Sequence, residues 1–186
     1  MDFWEIHDRY YVPLKRYVAA MTRDEWAAED IVQETFLKVQ TKLDSLRDKS
    51  KIKSWMYSIA RNQSLDHLRK VSALKEGRSR SVDQVGGVEP ALAQVQLERQ
   101  EMSRCVRDKI DLLPDSKREV IILFDIMGLN HREVAEILGL ENGAVRVRLH
   151  RARKAMKEIL DADCVFEHDE RDVFVCVPKE KTIETL

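Results

Sequence analysis

An all-α fold in two small helical domains follows from three observations on this 186-residue chain. Apolar residues recur at helical spacing over almost everything before residue 161. That period breaks over Ser72–Val88, where Gly77, Gly86 and Gly87 stand among Ser, Arg and Asp and Pro90 follows shortly. β-prone apolar runs come only after Leu160. The partition is therefore a first domain at 1–71, a flexible linker at 72–90, a second domain at 91–160 and an acidic tail at 161–186.

In the first domain the period predicts helices over Phe3–Met21, Ala27–Leu43 and Ile52–Val71. At 100° per residue, Ala28, Val32, Phe36, Val39 and Leu43 form the inward stripe of the second helix, leaving Asp30, Gln33, Glu34, Leu37 and Thr41 on the far side. An exposed Leu among polar residues is ordinary by itself. In the third helix Trp55 projects with Ile52, Met56 and Ile59, which favours a core role over base stacking, and Asp66 lies near the same stripe as a structural hydrogen-bonding residue.

Beyond the linker, helices are expected over Ala91–Leu113, Ser116–Met127, His131–Leu138 and Asn142–Leu160. The last two have the form of a helix-turn-helix, with Gly139 free to take positive φ after the shorter helix and Asn142 expected as N-cap of the longer one. Helices joined by so short a turn cross steeply, so the second projects. Its inward stripe is Val145, Leu149, Ala152 and Met156; Arg146, Val147, His150, Arg151 and Lys154 point outward. From Asn142 to Lys157 there are six basic side chains (Arg146, Arg148, Arg151, Arg153, Lys154, Lys157) and no acid. A merely solvated helix intersperses Glu with Lys, whereas one built for the major groove excludes carboxylates that would repel phosphate. DNA binding is the better reading of that face, although the net charge of −1 hides it.

The composition bounds the rest. Cys105, Cys164 and Cys176 are too few and too scattered for a disulfide framework, and no signal-peptide pattern or long apolar run occurs, so a soluble cytoplasmic protein is expected. The tail from Glu158 carries nine acids against three bases. Cys164-Val165-Phe166 mirrors Phe174-Val175-Cys176 about Glu170, which reads as a hairpin with the two cysteines as cross-strand neighbours. An inert accessory hairpin, a redox- or metal-sensitive switch drawing on Cys164, His168 and Cys176, and a disordered end all remain open. No glycine-rich phosphate loop or nucleophile-base grouping is present, so neither an enzyme nor a cofactor or small-molecule substrate is expected.

Two stretches carry a family resemblance. Leu112–Met156, with "LP" before a helix, "HREVAEILGL" and "GAVRVRLHRARKAM", is similar to the promoter-binding domain of extracytoplasmic-function sigma factors of the sigma-70 family. The resemblance assigns minus-35 DNA contact to Arg146, Val147, Arg148, His150, Arg151 and Lys154. Ala144 and Val147 stand where the family more often has Thr and Ser, so the element sequence is not carried over. Phe3 to about Lys70 resembles the family's other domain. There "AEDIVQETFLKV" matches the helix that binds the clamp of the largest polymerase subunit, which assigns core-polymerase contact to Asp30, Gln33, Glu34, Leu37 and Lys38. "IKSWMYSIARNQSLDHLRK" matches the segment that captures the minus-10 element as a single strand, which assigns that role to Lys53, Trp55, Arg61, Asn62, Arg69 and Lys70, with Lys51 on the same basic track. The preceding loop, Asp44–Ser50, corresponds to one that pockets a flipped base. The implied partners are core RNA polymerase, promoter DNA and an anti-sigma factor. The competing reading is a helix-turn-helix regulator that is not a polymerase subunit; it would call for a strand-rich sensing domain before the linker, where this chain has helices.

Overall fold

The computed structural model describes residues 2–75, 105–168 and 174–179. Its elements are α1 (Phe3–Thr22), α2 (Glu25–Lys42), α3 (Ile52–Lys75), a helical stretch at 105–111 that we label α4, α5 (Asp115–Ile121) prolonged by a π-helical segment over Ile122–Ile126, α6 (His131–Leu138) and α7 (Asn142–Asp163). A hairpin of β1 (Cys164–His168) and β2 (Phe174–Pro178) follows. The all-α expectation with a hairpin tail holds for the described residues. The expected linker and the first part of the Ala91–Leu113 helix lie largely outside them. Only 72–75 of the linker is described, and it prolongs α3, because no helix breaker occurs before Gly77.

Contacts divide the chain into two compact units, Met1–Val85 with Glu119–Val147, and Gly86–Arg118 with Arg148–Leu186. In the first unit, α1 opens on a capping box in which the Asp2 carboxylate accepts from the Glu5 amide while Glu5 reaches back to the Asp2 amide, each at 2.9 Å. Asp24 accepts from the amides of Trp26 and Ala27, so α2 begins two residues before its apolar stripe does. The three helices bury Leu14, Tyr17, Val18, Val32, Phe36, Val39, Met56, Tyr57 and Ala60. The hydroxyl of Thr35, fully buried, lies 2.7 Å from the Ile31 carbonyl of its own helix and 2.6 Å from Gln63 across the α2–α3 seam, so it is satisfied within the core. Tyr17 packs its ring on Tyr57, but its buried hydroxyl has no partner.

The same unit includes the π-helical segment, where the Met127 amide donates five residues back to the Ile122 carbonyl. The wider turn advances the buried face by one residue, so Val120, Ile121, Ile122 and Leu123 are all buried and Phe124 lies 4.5 Å, ring to ring, from His131. A single regular helix to Met127 was expected. After Asn130, which caps α6 in a second capping box with Glu133, the helix stops at Gly139 in the left-handed region at φ 65°. Asn142 is the first helical residue of α7 rather than its cap: Val145 donates to the Glu141 carbonyl, placing the cap one residue earlier.

In the second unit Ile110, Leu113, Leu149, Ala152 and Cys164 are buried. Lys109 on α4 forms a close ion pair with Asp163, the last residue of α7. The strands pair antiparallel with Cys164 opposite Pro178, Phe166 opposite Cys176 and His168 opposite Phe174. This corrects the register read from the sequence, in which Cys164 faced Cys176. Mirror symmetry about Glu170 counts only the apolar triplets; the observed register also pairs Glu167 with Val175 and His168 with Phe174, and the Lys179 amide donates to Asp163 at 2.8 Å. A register is weakly specified by side chains when neither strand carries a strong one-faced pattern.

Candidate functional site

Three helical faces carry the residues singled out above. On α2 the expected stripe is observed: Ala28, Val32, Phe36 and Val39 are buried, and Asp30, Gln33, Glu34, Leu37, Lys38 and Thr41 are exposed. Leu43 is half-buried. Leu37 is 61% exposed in the middle of this polar face. Two of its neighbours are held in place: the Gln63 amide donates to Glu34 at 2.7 Å, and the Gln33 amide to Glu29 at 3.3 Å. Glu29 also accepts from Tyr11 and pairs with Lys15 at 2.6 Å, and these bonds, Lys15 first, lower its pKa to about 2. The α2 surface thus sets carboxylates around Leu37, with a second exposed apolar side chain, Trp26, at the start of the same helix.

On α3, Trp55 is half-buried, not part of the core. The inward positions are taken by Ile52, Met56, Tyr57 and Ala60, while Ile59 is half-buried too. The stripe lies one step round from the projection because α1 and α2 pack on Tyr57 and Ser64 as well as on Met56. Trp55 lines an open pocket of about 350 Å³ with Leu46, Lys51, Ser54, Ser58 and Glu136. Asn62, Arg69 and Lys70 are exposed, and Asp66, expected near the stripe, is also exposed and pairs with Arg69 at 2.9 Å. The other cations face carboxylates from later in the chain. Lys53 meets Glu133 at 3.0 Å, Lys51 meets Glu136 at 3.2 Å, and Ser54 donates to Glu136 at 2.6 Å. Arg61 grips Glu119 with two nitrogens, at 2.6 and 3.2 Å. The Ser54 hydrogen bond, more than Lys51, lowers the Glu136 pKa.

On α7, Val145, Leu149 and Ala152 are buried and Met156 is half-buried. Arg146, Val147, His150, Arg151 and Lys154 are exposed, and Arg148 is half-buried at the edge of that face. In the tail, Cys164 is buried against Cys105, whose thiol pKa is raised chiefly by burial and then by Cys164 itself. The side chains of His168 and Cys176 lie outside the described residues, as does any metal-site reading that depends on them.

Family models match the two halves separately: sigma-70 region 2 over residues 6–73 and sigma-70 region 4 over residues 103–156. The RNA polymerase sigma factor SigZ of Bacillus subtilis is 31% identical over 91% of this chain and 93% of its own length. The ECF RNA polymerase sigma factor SigW of the same organism is 34% identical, over 85% and 88%. This chain belongs to the sigma-70 family, in its extracytoplasmic-function group. Among solved structures, CnrH in complex with the cytosolic domain of CnrY superposes with a TM-score of 0.64 at 28% identity, covering 87% of this chain and 88% of that one. RpoE of Bartonella quintana, in complex with the anti-sigma factor NepR, superposes at 0.65 and 24% identity, which shows the shared fold.

This sigma factor binds core RNA polymerase and directs promoter-specific initiation, and the reading as a free-standing regulator falls away. Its family regulates initiation without catalysing a reaction. Among the described residues no helix is long and apolar enough to cross a membrane. The residues missed in the sequence are Glu119, Glu133 and Glu136. Partners 58 to 85 positions away are not visible in any local pattern.

Proposed function

We propose a division of labour among the three faces of this sigma factor. The exposed face of α2, Asp30, Gln33, Glu34, Leu37 and Lys38, docks on the clamp of the largest polymerase subunit: Leu37 supplies apolar contact and the carboxylates fix orientation. The basic track of α3, with Lys51, Lys53, Arg61, Asn62, Arg69 and Lys70, holds the displaced strand of the minus-10 element, and the pocket beside Trp55 receives an unstacked base. The outer face of α7 reads the minus-35 element through Arg146, Val147, Arg148, His150, Arg151 and Lys154. The first two faces belong to a domain at 1–71, the third to one at 91–160, joined by the linker at 72–90.

The observation that supports this reading is the outer face of α7 over Asn142–Lys157, exposed opposite its buried stripe and without an acid until Glu158, which lies 4.0 Å from Lys154. Polymerisation chemistry belongs to the polymerase, so the chain itself catalyses nothing, works in the cytoplasm and needs no cofactor. An anti-sigma factor is the expected regulator: RpoE is seen in complex with the anti-sigma factor NepR, and CnrH with the cytosolic domain of CnrY. The test is reconstitution: this chain added to core polymerase should make a specific promoter transcribable, and Arg146→Ala should alter which upstream elements are used. Transcription with unchanged element preference across a promoter library refutes the α7 assignment.

A further inference from the structure

The second compact unit holds a side-chain cluster that none of the three faces uses. Cys105, on the first described turn of α4, and Cys164, the first residue of β1, share a hydrogen bond between their thiols. Cys164 is 4% exposed and Cys105 is half-buried. One turn further along α4, Lys109 pairs with Asp163, the residue directly before Cys164, and its ammonium lies within electrostatic reach of both sulfurs. Just past β2, the Lys179 amide donates to the Asp163 carbonyl at 2.8 Å and its side chain to the Asp161 carbonyl at 2.7 Å. The end of α7 is thus clamped by α4 and by the segment after β2, and these neighbours hold the two thiols in register.

The hairpin register removes the partner that the sequence offered to Cys164. Cys176 stands opposite Phe166 and Cys164 opposite Pro178, so the two tail cysteines are diagonal rather than direct neighbours. Diagonal neighbours on paired strands sit roughly 7–8 Å apart, beyond the ~4.4–6.8 Å Cα span of a disulfide.

We propose that Cys105 and Cys164 are a reversible dithiol–disulfide pair, oxidised by hydrogen peroxide, whose bond ties α4 to the end of α7. Cys105, the more exposed sulfur, reacts first. Its thiolate attacks one peroxide oxygen: an S–O bond forms, the O–O bond breaks, and the departing hydroxide takes a proton to become water. The Cys164 sulfur then attacks the Cys105 sulfenic acid, so that the S–S bond forms, the S–O bond breaks and a second water leaves. The two thiols give up two electrons and two protons, the peroxide takes up both, and a cellular dithiol reverses the change by exchange. Intracellular pairs of this kind rest reduced and bond transiently when oxidant rises. Burial, and then Cys164 itself, hold the Cys105 pKa up while Lys109 pulls it down, so little thiolate is present at neutral pH and the pair answers sustained rather than trace oxidant.

The disulfide acts as a staple. It closes a loop of about 60 residues, which removes enough freedom from the unfolded chain to raise the unfolding midpoint by about 5–15 °C. The outer face of α7 is left untouched, because Arg151 lies twelve residues before Asp163, about 18 Å along the helix.

The test uses the full chain, first reduced, then exposed to hydrogen peroxide, trapped with N-ethylmaleimide and digested without reductant for mass spectrometry. The expected product is an intramolecular Cys105–Cys164 link, formed equally in the wild type and in Cys176→Ser and removed by dithiothreitol. Calorimetry should place the midpoint of the oxidised wild type about 5–15 °C above that of the reduced protein. Cys105→Ser alters only the half-buried partner and so spares the fold; it should form no such link and gain no stability from the same treatment. A shift that persists in Cys105→Ser arises from oxidation elsewhere, methionines included, and overturns the staple. A predominant Cys164–Cys176 link, a disulfide between two copies of the chain, or Cys105 driven to the sulfinic acid with Cys164 still alkylated overturns the pairing. A Cys105–Cys164 link that leaves the midpoint unmoved or lower overturns the staple as well.

Discussion

Replacing Leu37 by Ala tests the polymerase face with the least disturbance to the fold. Full burial of a Leu side chain is worth about 1.5–3 kcal/mol. Leu37 is 61% exposed in the free chain, so docking has about three-fifths of that, roughly 1–2 kcal/mol, still to gain. Ala keeps the Cβ, which makes this the upper range, and at 1.4 kcal/mol per tenfold the dissociation constant for core polymerase should rise about five- to twentyfold. The fold should hardly notice, because exposed substitutions cost within about 0.5 kcal/mol. Titration of a fluorescent derivative against core enzyme gives the affinity, and thermal unfolding followed by circular dichroism gives the stability. Val39→Ala, two residues along and fully buried, is the counterpart: it should lower the melting temperature while leaving the exposed face of α2 in place. Polymerase affinity unchanged in Leu37→Ala, or reduced only in proportion to lost stability, refutes the docking role.

Three further outcomes follow from the same structure. Arg146→Ala and Arg151→Ala should each cost about 1–3 kcal/mol in promoter binding if a bidentate base contact is lost, with relaxed element preference, and less, uniformly over sequences, if only a phosphate contact goes; a footprint over an element library distinguishes these, and identical footprints for both variants contradict the assignment. The Glu29 pKa is depressed to about 2 against an unfolded value near 4.3, so its contribution to stability is complete above about pH 4.3 and disappears as pH falls through 2. Glu29→Gln should therefore melt below the wild type at pH 6 and converge with it toward pH 2; a constant gap in calorimetry contradicts the ion-pair origin. Truncation after Leu160 removes Asp163, the partner of Lys109, together with buried Cys164, and should lower the unfolding temperature yet leave polymerase affinity, and promoter activity or more, intact; loss of transcription from a folded, polymerase-bound truncation would make the tail a positive element.

The sequence by itself determined what depends on neighbours along the chain. The stripe of α2 and its polar far side, the basic outer face of α7 over Asn142–Lys157 and the stop at Gly139 were all legible, because helical period and left-handed glycine are local properties. The motifs in "AEDIVQETFLKV" and "GAVRVRLHRARKAM" were enough to place the family. Only the tertiary structure decided matters that depend on what packs against what. Trp55 lies beside a pocket because Tyr57 and Ser64 turn the stripe of α3 toward α1 and α2. The hairpin register lies two residues from the mirror-symmetric one, because a strand without a strongly one-faced pattern specifies its register only weakly. Above all, the carboxylates on Lys51, Lys53 and Arg61 come from residues 58 to 85 positions away. Coulomb attraction acts through space and not along the chain, so a cationic face that looks open in the sequence is closed in the fold.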